Sequence, residues 1–286
     1  MTYVDAIVQG IMLGGLYALF AAGLSLIFGV MRLVNIAHGD FIVLGAYLAL
    51  VTIQATGLHP FLSLIVVVPV MAAAGYGIQR GLLNRTLGPN LLPPILVTFG
   101  LAVVIQNTLL MTFSTDTRRL APGAIETASL SLGPISIGWL PLLTFLVAVG
   151  LIFGLEQLFY RTAMGRAFRA TSDDAETARA MGVNTRHVHA LAMALSFAVI
   201  AVAGVFLGAR SNFDPFSGPA RLIYGFEAVI IGGLGSLWGT LAGGVVLGVA
   251  QALGAQISPA MQNLAGHIVF FMILAARPRG LFPRMD

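Results

Sequence analysis

An all-α, polytopic transmembrane bundle is the fold class that this sequence predicts, and three observations predict it. The mean hydropathy is +0.93 and only 9% of residues are charged, far from the balance of a soluble domain. Apolar runs of about 18 to 24 residues recur along the whole chain, each long enough to cross hydrocarbon about 30 Å thick at about 1.5 Å of helix per residue. Glycine is abundant inside those runs (34 in the chain), as expected where membrane helices approach closely through small residues.

The first run, 7–30, is long enough to span with some tilt. No basic stretch precedes it, so a cleaved signal peptide is not expected. Further runs follow at 40–56, 60–80, 91–113, 137–160, 188–210, 222–236, 238–256 and 259–277. Between 222 and 256 the glycine-rich "GGLGSLWGTLAGG" excludes one long span and predicts a short or broken helix beside a full one. Eight or nine crossings remain open, depending on whether 222–236 is re-entrant.

All fifteen basic residues are arginine. A phosphate-cradling GxxxxGK[ST] loop needs its lysine, so this chain is expected to hold no such ATPase site and to be no enzyme. There is no cysteine, which excludes disulfides and thiolate chemistry. The net charge of +4 reports orientation in a membrane protein rather than nucleic-acid binding. With "RPRGLFPRMD" placed in the cytoplasm and nine segments alternating, Arg32, Arg80, Arg85, the five arginines of 161–186, Arg277, Arg279 and Arg284 fall inside. Arg118, Arg119, Arg210 and Arg221 fall outside. The positive-inside rule therefore predicts an external N-terminus and a cytoplasmic 161–187 segment and C-terminus.

Four segments precede the span at 137–160 and four follow the charged segment, opposite in direction. In each set a long helix is followed by a polar-marked, glycine-containing one, "NIAHGDFIVLGAY" at 35–47 and "GFEAVIIGGLG" at 225–235. Inverted repeats with discontinuous second helices are a transporter pattern.

Residues 161–190 concentrate eight of the chain's charged residues. Ser172 and Asp173 are candidate caps, with Glu176 in capping-box spacing from Asp173, for a helix over about 173–181 that stops at Gly182. Ala175, Ala178 and Met181 with Gly182 are expected on one small, shallow side suited to another protein's groove. A solvated loop whose arginines enforce topology is the alternative from residue types alone.

"DAETARAMGV" resembles the cytoplasmic coupling segment of ABC importer permeases, with Asp174, Ala178 and Gly182 at the recurring acid, alanine and glycine. "NIAHGDFIVLGAY", "RTAMGRAFRAT", "IIGGLGSLWGTLAGG" and "RPRGLF" are similar to the high-affinity branched-chain amino acid permease family, H-type (LivH-like) subunit, in the family's order from Tyr17 to Phe282. Trp238 departs from the proline or small turn residue usual there, and Asp173 adds a second acid beside Asp174.

The resemblance implies an ABC importer permease fold, one domain over 1–286, and transport of branched-chain amino acids or related small carboxylates or amides across a bacterial inner membrane. It implies a second, homologous permease subunit, two cytoplasmic ATPase subunits that bind the ATP and Mg, and an extracytoplasmic substrate-binding protein; no nucleic acid is expected. Asp173, Asp174, Ala175, Glu176, Ala178, Arg179, Met181 and Gly182 would form the ATPase-coupling set. A stand-alone channel or gradient-driven transporter, with Glu227 or Asp40 as its ion site, is the alternative.

Asn35, His38, Gly39 and Asp40 open the second span and either mark a break in a translocation path or cap a cytoplasmic helix end near Arg32. Glu227, several residues into an apolar run, would cost about 2.5–3.5 kcal/mol unless it faces protein or water. It either meets a substrate ammonium or pairs with Arg221 or a neighbouring helix. Gln106 and Asn107 are expected to make interhelical hydrogen bonds, His267 to be a packing histidine without a metal, and Glu156 to be interfacial near Arg161.

Overall fold

The computed structural model describes residues 3–88, 90, 92–132 and 135–282. The helices are α1 (Tyr3–Met31), α2 (His38–Thr56), α3 (Leu64–Gly81), α4 (Leu92–Phe113), α5 (Trp139–Arg161), α6 (Ala163–Asp173), α7 (Ala175–Ala180), α8 (Thr185–Arg210), α9 (Gly218–Gly232), α10 (Leu237–Ile257) and α11 (Met261–Ala276). All nine expected segments are helical. Seven are long and apolar enough to cross a membrane; α9 and α11 are shorter. The sequence did not foretell α6, or an antiparallel hairpin of β1 (Ser129–Leu132) and β2 (Ile135–Gly138) that pairs Ser129 with Gly138. Hairpin strands of four residues leave no hydropathy signal beside spans of twenty.

Helices α1 and α8 form the centre, with 83% and 72% of their most apolar windows buried, whereas α3, α4 and α5 bury 22% each and turn most of their surface outward. The packing carries an internal two-fold. Helix α1 packs most extensively on α10, and α3 on α8; α2 lies on α8 as α9 lies on α1. Exchanging α1–α4 for α8–α11 converts one pair into the other, so the inverted repeat is real. Gly45 of α2 rests against Ala201 of α8 and Gly225 of α9 against Phe20 of α1, so in each repeat a glycine seats the second helix on the first helix of the other repeat.

The second helix of each repeat starts inside the bundle. After Met31 the chain reverses at Arg32, which takes a left-handed φ of 51°, and 33–37 turns back into buried surroundings. His38 then lies at the level of Phe20, whose carbonyl it meets, and Phe20 is roughly 16 Å along α1 from its end. From the other side, 211–217 leaves the end of α8 and descends to Gly218. The two N-termini abut: a Cβ on Gly39 would lie 2.0 Å from the Gly218 carbonyl oxygen.

One end of the bundle carries α6 and α7. There Ser172 Oγ donates to Gly29 O at 2.5 Å, and Asn84 Nδ2 donates to Arg186 O at 3.1 Å. The chain's tail closes over the same end, with Leu281 N donating to Ile231 O (2.8 Å) and Phe282 N to Gly232 O (2.9 Å). At the opposite end Arg118 and Phe213 exchange backbone hydrogen bonds, and Ser136 N of the hairpin reaches Asp5 Oδ1 at 3.3 Å. Tyr3 and the tail therefore lie at opposite ends, and 211–217 with α9 completes a ninth pass rather than a re-entrant loop. Arg284 lies outside the described residues.

The α1/α10 crossing is a backbone contact: a Cβ on Gly14 would come within 2.5 Å of Val245 Cα, and one on Gly248 within 2.3 Å of the Gly10 oxygen. Gly248→Val is expected to cost about 1–3 kcal/mol as overpacking. Gly77→Ala, where an added Cβ meets nothing within 4 Å, should be neutral or gain up to about 1 kcal/mol of helix propensity. Thermal unfolding of the two variants in detergent measures the contrast.

Candidate functional site

Helix α7 is short and closed at both ends. Asp174, not Asp173, is its N-cap: Asp174 Oδ1 accepts from Glu176 N (2.9 Å) and Thr177 N (3.1 Å), and Oδ2 accepts from the Thr177 hydroxyl at 2.5 Å. Asp173 is the last residue of α6, and Ser172 is committed to α1. Two adjacent acids offered two caps, and the extra helix α6 consumes the first. At the C-terminus Val183 N donates to Ala178 O and Gly182 N to Arg179 O, both at 3.0 Å. This is the double bond of a Schellman stop, with Gly182 in the left-handed region at φ 89°.

The small side of α7 turns inward. Ala178 is buried against the chain itself, Ala175 is half-buried, and Arg179 folds back so that Nη2 donates to Thr185 Oγ1 at 3.3 Å. The open face is formed by Glu176, Thr177, Ala180, Gly182 and Met181, whose side chain is 82% exposed. The alanine stripe is thus what seats α7 on its own protein, and Met181 is what projects.

The second cluster is the mid-bundle junction of α2 and α9. Asn35 does not cap an end at the membrane surface; its Oδ1 accepts from Ala37 N (3.1 Å), and this turn launches α2 at depth. His38 Nε2 donates to Phe20 O at 2.7 Å, leaving its buried Nδ1 without a partner. Asp40 Oδ1 accepts from Gln106 Nε2 of α4 at 2.9 Å and faces Gly218, where an added Cβ would lie 2.1 Å from that oxygen. Gln106 makes the expected interhelical bond, whereas Asn107 bonds within α4 to Val103 O.

A third set runs along α1, α9, α10 and α11. Glu227 pairs with His267 of α11, Nδ1 donating to Oε1 at 2.5 Å, and its Oε2 has no partner. His267 is therefore more than packing, and Arg221 is not the partner. Toward the opposite end Tyr17 Oη donates to Gln251 Oε1 at 2.5 Å, and its ring lies tilted beside that of Tyr224 with centroids 5.0 Å apart. Beyond them Arg210 Nη1 donates to Met12 O at 3.1 Å. Tyr17, Gln251 and Tyr224 escaped the sequence reading because each is a lone polar group in an apolar run. Arg210 was read only as an orientation signal. No group of three or more His, Asp or Glu suited to a metal occurs among the described residues.

Trp238 hands its indole N–H to Glu156, tying the start of α10 to α5. Glu156, about one and a half turns before Arg161 on α5, accepts that bond.

A nine-pass helical bundle with inverted repeats and helices broken at mid-depth is a solute permease. The chain belongs to the family described as "Branched-chain amino acid transport system / permease component", which it matches over residues 6–277. It is 29% identical to the high-affinity branched-chain amino acid transport system permease protein BraD of Pseudomonas aeruginosa, over 99% of this chain and 97% of that one. It is 28% identical to LivH of Escherichia coli, over 99% and 96%. It also matches LivM of Salmonella typhimurium at 27% identity, over 94% of this chain and 68% of that one.

The Thr177 hydroxyl first, then the Thr177 and Glu176 amides, hold the Asp174 carboxyl below its ordinary value of 3.8. A lowered carboxylate contributes stability above its unfolded pKa, and this is lost as pH falls through the folded value. Amide exchange over 174–183, corrected for intrinsic rate, should accelerate as pH drops below about 3.8. Asp174→Ala should show the faster exchange already at neutral pH, because the cap is gone at every pH.

Proposed function

We propose that this permease is one membrane subunit of an ATP-driven importer of branched-chain amino acids, or of small carboxylates or amides of that kind. Its relatives BraD and LivH bear that transport in their names. In this reading the α7 end faces the cytoplasm, where it gathers Arg32, Arg80, Arg85 and the arginines of α6, and the Tyr3 end faces outward. The observation that carries the coupling is α7 itself, a helix stopped at both ends and seated on the bundle, which offers one bare apolar side chain, Met181, beside Glu176.

A chain without lysine has no P-loop of its own, so of two separate ATPase subunits one grips α7, and ATP with Mg belongs to them. Movement of α7 passes through Ser172 to α1 at Gly29, and from α1 to α9 and α10, which pack on it. Rocking of one repeat on the other then alternates access along the polar set. The abutting N-termini of α2 and α9 supply inward-aimed amides at mid-depth where a carboxylate is stabilised. Glu227 Oε2, unpartnered, is placed to accept from an ammonium. The match to LivM supports a second, homologous permease as partner, and an external binding protein delivers the solute.

Vesicles holding the chain with its partner permease and ATPases should accumulate L-leucine only with ATP inside the coupling compartment, and the chain alone should accumulate none. Met181→Glu is expected to lower transport-stimulated ATP hydrolysis at least about tenfold, as for an interface anchor. Uptake by the chain alone down an ion gradient would replace this reading with a secondary transporter.

A further inference from the structure

At the Tyr3 end, between α1, α10, the end of α8 and the start of α11, lies a partly open pocket of about 260 Å³, just below the about 300–1,000 Å³ that drug-sized ligands occupy. Its polar wall is Arg210 with the amides of Gln256 and Gln262 and with Gln9, whose Nε2 is committed to the Ser136 carbonyl; its apolar wall includes Leu13 and Ala252. No acid lines it. Arg210 spends one nitrogen on the Met12 carbonyl, and among the described residues no carboxylate pairs with it. A half-buried guanidinium at the end of a membrane helix without a counterion is costly unless something supplies one.

We infer that this pocket is an outer docking subsite for the carboxylate of a small aliphatic amino acid, held by Arg210 before the solute moves on to the mid-bundle polar groups. The planar guanidinium presents a fork that matches a carboxylate, and the Gln256 and Gln262 amides hydrogen-bond either the carboxylate or an ammonium. Leu13 and Ala252 leave a shallow apolar surface for an alkyl side chain. Tyr17 lies about one turn along α1 from Leu13 and Gln251 adjoins Ala252 on α10, so the bonded pair Tyr17 and Gln251 comes next to the pocket lining along these two helices. Which end faces outward rests on the importer reading; the ligand chemistry rests on the pocket alone.

The test is protection of Arg210 from an arginine-directed dicarbonyl, p-hydroxyphenylglyoxal, read by peptide mass spectrometry on the assembled wild-type complex. L-leucine and its deaminated analogue 4-methylpentanoate should each slow modification severalfold, and the decarboxylated analogue isopentylamine should not. Alongside, Arg210→Lys and Gln262→Leu should each raise the half-saturation of ATP-dependent L-leucine uptake about tenfold, the loss expected for a charge-assisted or buried hydrogen bond. Equal modification under all three solutes, or protection by the amine alone, overturns the subsite. Uptake with wild-type half-saturation in both variants does the same and leaves the importer standing. Carboxylate-dependent protection in a complex that transports nothing would sink the importer reading and leave the pocket.

Discussion

Two stretches of non-helical backbone, 33–37 and 211–217, reach the middle of a bundle whose surface is built for hydrocarbon, and the rest of the structure is arranged around satisfying them. Backbone that leaves a helix at membrane depth has no water to bond with and must be covered by protein. Here the cover is mutual: α2 and α9 begin where the stretches end, and Gly39 and Gly218 let those beginnings touch. Asn35 folds onto Ala37, and the arriving His38 takes the Phe20 carbonyl. A side chain at either glycine would push one break away from the other and leave both uncovered.

That arrangement explains why α1 and α8 are the most buried helices. Each is the long first member of its repeat, and each carries the broken second helix of the other repeat. The crossing of α1 with α10 through glycines brings backbone against backbone, where dispersion and weak Cα–H contacts replace a hydrophobic drive that a lipid solvent does not provide. The polar set from Arg210 to Glu227 lies along the face where α1, α9, α10 and α11 meet, so the helices that hold the bundle together also position its ionisable groups.

Much of this was legible in the sequence because it depends on long-range averages. Nine apolar runs and the interruption at 232–244 gave the helices, their alternation and a short α9. The inverted repeat was legible as a pattern of segments, whereas the pairing of α1 with α10 and of α8 with α3 that realises it depends on contacts between distant helices. At α7 the Gly182 stop was legible because only a left-handed residue ends a helix that way. The cap was misread by one residue, because α6, made of an arginine-rich stretch without a long apolar run, gave no hydropathy signal. The orientation of Ala178 was out of reach as well: a small residue at helical spacing suits an outside groove and an inside seat equally, and only the surrounding chain decides. His267 and Arg210 illustrate the same limit, since each takes its meaning from a residue tens or hundreds of positions away.

The tail has a mechanical meaning that its length conceals. By donating Leu281 N and Phe282 N to carbonyls at the last turn of α9, with Gly280 bending at φ 80° to reach them, it knots the end of the polypeptide to the helix that carries Glu227. A load applied directly behind this strap pulls on α9, so residues 280–282 are a poor anchor for a probe and a good one for a lever.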